Sequence, residues 1–175
     1  MAESTPPSAD LNEVGVLRRR EIEARIVAPL LEAFAAEFGR ERVLAVARRV
    51  VVEIARQQGK ELAERRGGHD LRTFAAAKEP WTRSGSLEIQ VLEETDRSYQ
   101  FNVTRCRYAE MYRALGIPEL GALLSCNRGF ALGEGFNPAM KLTRTQTIME
   151  GAAFCDFRYW LAEPPSTSTA PDSAP

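Results

Sequence analysis

Three cysteines, Cys106, Cys126 and Cys155, and one histidine, His69, carry most of the nucleophilic potential of this 175-residue chain. A thiol becomes a strong nucleophile once a base or a nearby cation helps it ionise. His69 and Asp70 could complete a Cys–His–Asp arrangement, although a histidine directly after Gly67-Gly68 equally suits an exposed loop. Nineteen residues separate Cys106 from Cys126, and Cys155 lies well beyond, so the close cysteine pair of common zinc sites is missing. The sequence has no Gly-x-Ser-x-Gly elbow, phosphate loop, Gly-x-Gly-x-x-Gly fingerprint or His-Glu-x-x-His pair. Serine-hydrolase, nucleotide-binding and zinc-protease chemistry are therefore disfavoured. A cysteine-centred site remains.

Strand alternation sharpens the candidates. Met140, Leu142 and Ile148 share a face with Arg144 and Gln146 in the segment Ala139–Ile148, so Arg144 is expected to turn inward. A buried guanidinium needs an anionic partner, and its fork suits either a substrate carboxylate or a protein one. Lys141, Thr143, Thr145 and Thr147 fall on the other face, where threonines are also ordinary strand formers. In the segment Ala153–Leu161, Cys155 aligns with Phe157 and Tyr159 toward the interior, and Asp156 aligns with Arg158 on the opposite face.

These residues need a scaffold. Ile22, Ile26, Leu30, Phe34 and Phe38 recur every four residues, and Val43, Val46, Val50 and Ile54 continue the pattern after Gly39. Two amphipathic helices joined by a short turn are expected to pack as an antiparallel hairpin, with Pro29 a possible break in the first. The arginines on these helices are interleaved with glutamates and read as a solvated face. Leu87, Ile89 and Val91, then Tyr99, Phe101 and Val103, alternate with polar residues across the turn Glu94–Arg97, which predicts a β-hairpin. Short helices are expected over 108–115 and 119–124, and the glycine-rich stretch 129–138 reads as a loop. Trp81 should lie in the loop entering the first strand, where it could wall a pocket. The expected fold class is α+β: an N-terminal helical hairpin on an antiparallel sheet of about four strands, with short helices inserted before the last two.

Composition narrows the setting. Apolar residues at 44% and charged residues at 27% suit a globular domain spanning 11–162, flanked by Pro- and Ser-rich tails at 1–10 and 163–175. A net charge of −1 gives no bulk attraction to nucleic acid or an anionic membrane. The absence of a signal-like start, together with an odd cysteine count, leads us to expect reduced thiols in the cytoplasm. A homo-oligomer through the helical stripe is open.

Beyond these patterns, the ordered motifs Val103-Thr-Arg-Cys-Arg-Tyr-Ala-Glu-Met-Tyr, Leu124-Ser-Cys-Asn-Arg, Leu142-Thr-Arg-Thr-Gln-Thr and Gly151-Ala-Ala-Phe-Cys-Asp-Phe-Arg-Tyr resemble the L-2-amino-thiazoline-4-carboxylic acid hydrolase family over roughly residues 70–160. The resemblance implies hydrolytic opening of a small carboxylated heterocycle, either the thiazoline itself or a related cyclic amide or amidine. It implies Cys126 or Cys155 as nucleophile, Asp156 or Glu134 for proton transfer, and Arg144 as the carboxylate anchor. Thr145, Thr147, Trp81 and Cys106 would line the same site. The family pattern at Cys126 reads Cys-x-x-Asp, and Gly129 stands here in the fourth position. The chain also resembles the small-molecule-binding domains named after 4-vinyl reductase, some of which hold a metal through cysteines. That likeness implies the alternative of a non-catalytic ligand-binding domain, with zinc as a stabilising metal in one version of it; the hydrolase reading needs no cofactor.

Overall fold

The structure, a computed structural model, describes residues 14–162. The expected tails 1–10 and 163–175 lie outside that range. Two long helices come first, α1 (Val16–Phe38) and α2 (Arg40–Arg66), separated at Gly39, whose φ of +90° is open to glycine at little cost. α1 runs uninterrupted through Pro29. Gly67 caps α2 in the left-handed conformation. Short helices α3 (Leu71–Ala76) and α4 (Glu79–Thr82) follow, and Asp70 caps α3 by accepting the Thr73 N–H.

The sheet is antiparallel. Strands β1 (Leu87–Glu94) and β2 (Ser98–Cys106) form the expected hairpin. Helices α5 (Arg107–Ala114), α6 (Pro118–Gly121) and α7 (Arg128–Phe136) precede β3 (Met140–Thr143) and β4 (Cys155–Leu161). The strand order is β1-β2-β4-β3, with Val103 opposite Cys155, Phe101 opposite Phe157 and Tyr99 opposite Tyr159. Period-two alternation puts these six side chains on one face, where the Phe101 and Phe157 rings stack with centroids 4.9 Å apart. The α+β class and the four-stranded antiparallel sheet thus follow the alternation read from the sequence.

Three expectations are corrected. The stretch 129–138 is mostly helix α7 rather than a loop, because its glycines serve close packing. A Cβ on Gly135 would stand 1.9 Å from the Arg56 carbonyl oxygen, and one on Gly59 would stand 2.2 Å from that of Leu132. Backbone meets backbone at that crossing of α2 and α7. The strand expected over 139–148 ends at Thr143, because beyond Arg144 the Asp156 carboxylate takes the N–H groups of Thr145 and Gln146. The third correction concerns Trp81, which lies on α4 rather than in a loop, Pro80 suiting the first turn of that helix. The hairpin's apolar stripe faces outward: Ile22, Ile26, Leu30, Phe34 and Phe38 are about half exposed or more, and Val46, Val50 and Ile54 nearly so. Small residues take the inner face instead: Ala24 and Ala28 on α1, and Ala55, Gly59 and Ala63 on α2.

Candidate functional site

Between the inner face of the sheet and the helices lies an apolar cavity of about 150 Å³. Phe101, Phe157 and Tyr159 from the sheet, Trp81 from α4 and Leu132 from α7 are among its walls. A cavity of this size accommodates a single five- or six-membered ring with small substituents, since a comparable apolar void holds benzene.

All three thiols border it. Cys106 ends β2, Cys155 opens β4 on the neighbouring strand, and Cys126 closes a widened π-type turn over Ala122–Cys126. Burial pushes the Cys126 pKa up to about 12, with the Arg144 guanidinium opposing. Burial also raises Cys155 and Cys106, against N–H groups of Ile148 and Ala109 that donate to their sulfurs at 3.2 and 3.4 Å. In the free protein the three are therefore thiols, not thiolates. Among the described residues no group of three cysteine, histidine or carboxylate side chains is placed to hold a metal ion.

Arg144 turns inward, as the alternation predicts, although its backbone has left the strand. Its Nη1 donates to the Cys126 carbonyl oxygen at 2.9 Å, and its guanidinium lies 5.1 and 5.3 Å from the ring centroids of Phe130 and Phe157. The π-type turn leaves carbonyls free of ordinary helical bonds, and a second guanidinium, that of Arg128, uses another: its Nε donates to Leu124 at 2.8 Å. Arg128 also donates to the Gln58 side chain at 3.2 Å, and burial draws its pKa down to about 10. Among the described residues neither Arg128 nor Arg144 has a carboxylate partner, and no Asp or Glu lines the cavity. A guanidinium has five N–H donors, so each retains several for a guest.

The remaining expected site residues sit elsewhere. Asp156 points to the other face of the sheet. It accepts from the backbone N–H of Thr145 (3.0 Å) and Gln146 (2.9 Å) and from the Thr145 hydroxyl (2.7 Å). It thereby anchors the 144–147 segment that presents Arg144, and stands outside the cavity lining as a positioning residue. Thr145 is exposed and occupied with Asp156. Thr147 is buried, and its hydroxyl donates to the Glu150 carboxylate at 2.6 Å. Glu134 is exposed on α7, where it accepts from Arg56 at 3.1 Å, so it cannot reach a guest in the cavity. His69 is exposed as well, its Nδ1 3.2 Å from the Phe136 carbonyl oxygen, and Asp70 caps α3, so no Cys–His–Asp arrangement forms. Gly129 lies on the cavity wall, where a Cβ would meet the Phe157 ring at 3.2 Å.

Three charged lining groups were not singled out from the sequence, Arg128 among them. Arg20, read as part of a solvated arginine run, borders the cavity and pairs with Glu23. Lys78, between α3 and α4, borders it too; nothing in its sequence context distinguishes it, because three of the four rings around it come from distant strands.

Among solved structures, the fold is similar to the crystal structure of the phenol-responsive sensory domain of the transcription activator PoxR with phenol, at a TM-score of 0.50 and 13% sequence identity. That match covers 77% of this chain and 72% of the sensory domain. No curated protein sequence matches the chain. The family model described as L-2-amino-thiazoline-4-carboxylic acid hydrolase matches residues 19–159, a span that includes both guanidiniums, all three thiols and every strand around the cavity, and the chain belongs to that family.

Proposed function

We propose that the cavity takes a small, flat heterocycle bearing a carboxylate and that the protein opens its ring by hydrolysis. The observation that supports this most is the pairing of an apolar, ring-sized cavity with two half-buried guanidiniums that have no protein carboxylate. A buried cation without a counter-ion is costly, and a guest carboxylate removes that cost through a two-pronged, charge-assisted contact. Arg144 is the principal anchor in this reading, with Arg128 beside it, and the aromatic walls cover the ring.

The chemistry begins from protonated thiols. The Cys126 or Cys155 sulfur adds to the ring's C=N or C=O carbon while its proton passes to a ring nitrogen. The bond from that carbon to a ring nitrogen or sulfur then breaks, the leaving heteroatom keeping the proton, and the carbon stays on the cysteine sulfur; water adds to it, the C–S bond breaks, and the sulfur takes a proton from the water. A basic amidine nitrogen in the substrate supplies the proton acceptor that the cavity's carboxylate-free lining does not. The test incubates the full chain with 2-amino-thiazoline-4-carboxylate and a panel of cyclic amides and follows ring-opened products by mass spectrometry. Turnover that is lost in both Cys126→Ala and Cys155→Ala, or in one of them, supports the reading. Full activity in both variants overturns the nucleophile.

A second reading has its own observations. Burial keeps the thiols protonated, Gly129 replaces the aspartate of the family pattern, and the structurally similar sensory domain is phenol-responsive. A non-catalytic domain that senses or carries a small aromatic anion is consistent with these. Saturable binding of 2-amino-thiazoline-4-carboxylate without product, in the chain as written and in Gly129→Asp, would select it.

A further inference from the structure

Lys78 is the cavity group that the ring-opening reading leaves unused. Its Nζ lies 4.2 Å from the ring centroid of Phe74, 4.6 Å from Tyr159, 5.1 Å from Phe101 and 5.9 Å from Tyr99. Among the described residues no hydrogen bond or ion pair reaches that nitrogen. The side chain nevertheless borders the cavity, so a guest can approach the amine.

We propose that Lys78 is a reactive amine of this cavity, able to capture a small apolar aldehyde or ketone as an imine. The nitrogen lone pair adds to the carbonyl carbon; the carbonyl oxygen takes up two protons and leaves as water, and a C=N bond to Nζ forms. Three features favour the step. The aromatic surroundings exclude water, which draws the dehydration forward. The charged and titratable groups near the amine carry no negative charge that would hold it as an ammonium. Burial pushes the Tyr99 hydroxyl up to about 12 and Tyr159 further, so both phenols stay neutral. The other ionisable groups bordering the cavity are Arg20, Arg128, Arg144, Tyr108 and the three thiols, all cationic or neutral at neutral pH. The ring faces do attract an ammonium, but burial dominates and draws the Lys78 pKa down to about 7. An ordinary lysine near 10.4 is almost wholly protonated there.

The chain's lysines are Lys60, Lys78 and Lys141, and the first and last are exposed, so the protein carries its own controls. The full chain is incubated at pH 7 with benzaldehyde, which carries no carboxylate for the guanidiniums, and sodium cyanoborohydride, which reduces the imine to a stable secondary amine. Peptide mass mapping then locates the adduct. Modification of Lys78 exceeding that of Lys60 and Lys141 by about a thousandfold is expected, from the difference in free-amine fraction. Adduct spread over Lys60 and Lys141, or absent from Lys78, overturns the proposal. Because labelling reads amine reactivity and not turnover, its failure is distinct from failure of the ring-opening reading.

A second inference stands on a separate observation, the outward apolar stripe of α1 and α2. We infer that it pairs with the same stripe of a second copy of this chain. Eight large apolar side chains, from Ile22 to Phe38 on α1 and Val46, Val50 and Ile54 on α2, are 44–62% exposed. Half the surface of so many comes to about 700 Å², close to the roughly 800 Å² per partner of a standard stable interface. The segments 1–13 and 163–175 hold too few large apolar residues to match that stripe, Leu11 being one of the few. A two-fold axis would let one hairpin bury the other, since the same patch meets itself. Light scattering on the full chain is expected to give twice the 19.5 kDa chain mass. Ile26→Glu with Phe34→Glu is expected to give the monomer, with selective Lys78 labelling as the check that the fold persists. A wild-type chain that stays monomeric at every concentration tried overturns the interface.

Discussion

The cavity and the outer face of the hairpin are both apolar, yet they handle charge in opposite ways. Beside the outer stripe three arginines are answered within their own surface: Arg25 meets Glu21 at 2.7 Å, Arg56 meets Glu53 at 2.7 Å and Arg40 meets Glu32 at 3.2 Å. Within the cavity Arg128 and Arg144 spend donors on backbone carbonyls and Lys78 faces only rings. Exposed ion pairs contribute little and ask for no guest. Enclosed cations without counter-ions do ask for one. Apolar surface alone thus does not distinguish a place for a small molecule from a place for another protein; the state of its charges does.

Both surfaces depend on the crossing of α2 and α7, so the largest expected effect comes from prising it apart. Gly135→Ala sets a methyl group against the Arg56 backbone, which cannot swing away as a side chain would. Overpacking of this kind costs about 3 kcal/mol, or roughly 6–12 °C in Tm for a chain of this size. Thermal melts followed by circular dichroism check it, and an unchanged Tm would mean that the two helices are not in backbone contact.

Next comes the cavity by itself. Arg144→Ala is expected to weaken binding of a carboxylated ring by about a hundredfold, the scale of a lost charge-assisted contact. The same ring without its carboxylate should bind both proteins alike. Calorimetric titration of the pair separates the two. If the uncharged ring loses as much as the acid, Arg144 serves the shape of the cavity rather than its charge, and the contrast with the hairpin face is broken.

How much of this was legible beforehand depended on the length scale of the cause. The β1–β2 hairpin and the inward register of Cys155, Phe157 and Tyr159 follow from period two, a local rule that a short segment obeys whatever packs on it. Arg144 was found by the same rule, and a tether from Asp156 that no pattern announces keeps it pointing inward after the strand ends. The stripe at Ile22–Phe38 was legible as an apolar face, but not its outward direction. Periodicity reveals that a face exists, not what covers it. Glycines at 59 and 135 look like breakers in sequence, and only the partner helix shows them to be contact points. Lys78 was illegible for a related reason, since its four rings come from α3, β2 and β4.

The smallest expected effect tests how the cavity's charge is held in place. Partial burial pushes the Asp156 pKa up, but the Thr145 hydroxyl and the N–H groups of Gln146 and Thr145 outweigh it, leaving the carboxyl below its ordinary value. A carboxyl depressed in the folded state stabilises the fold above its unfolded pKa, near 3.9, and that contribution is lost as pH falls through the folded value. Asp156→Asn keeps the shape and one acceptor oxygen while removing the charge. At neutral pH its melting temperature should fall only slightly, about 1 kcal/mol for a weakened set of hydrogen bonds. As pH falls below about 4 the unfolded chain protonates first and the difference from the parent chain should shrink, vanishing once the folded carboxyl is protonated too. Turnover and binding report on position: a loosened Arg144 raises KM for the carboxylated ring and leaves kcat nearly unchanged, whereas a proton-transfer group would lower kcat. A fall in kcat with KM intact would return Asp156 to the reacting atoms, and with it the cavity's missing acid.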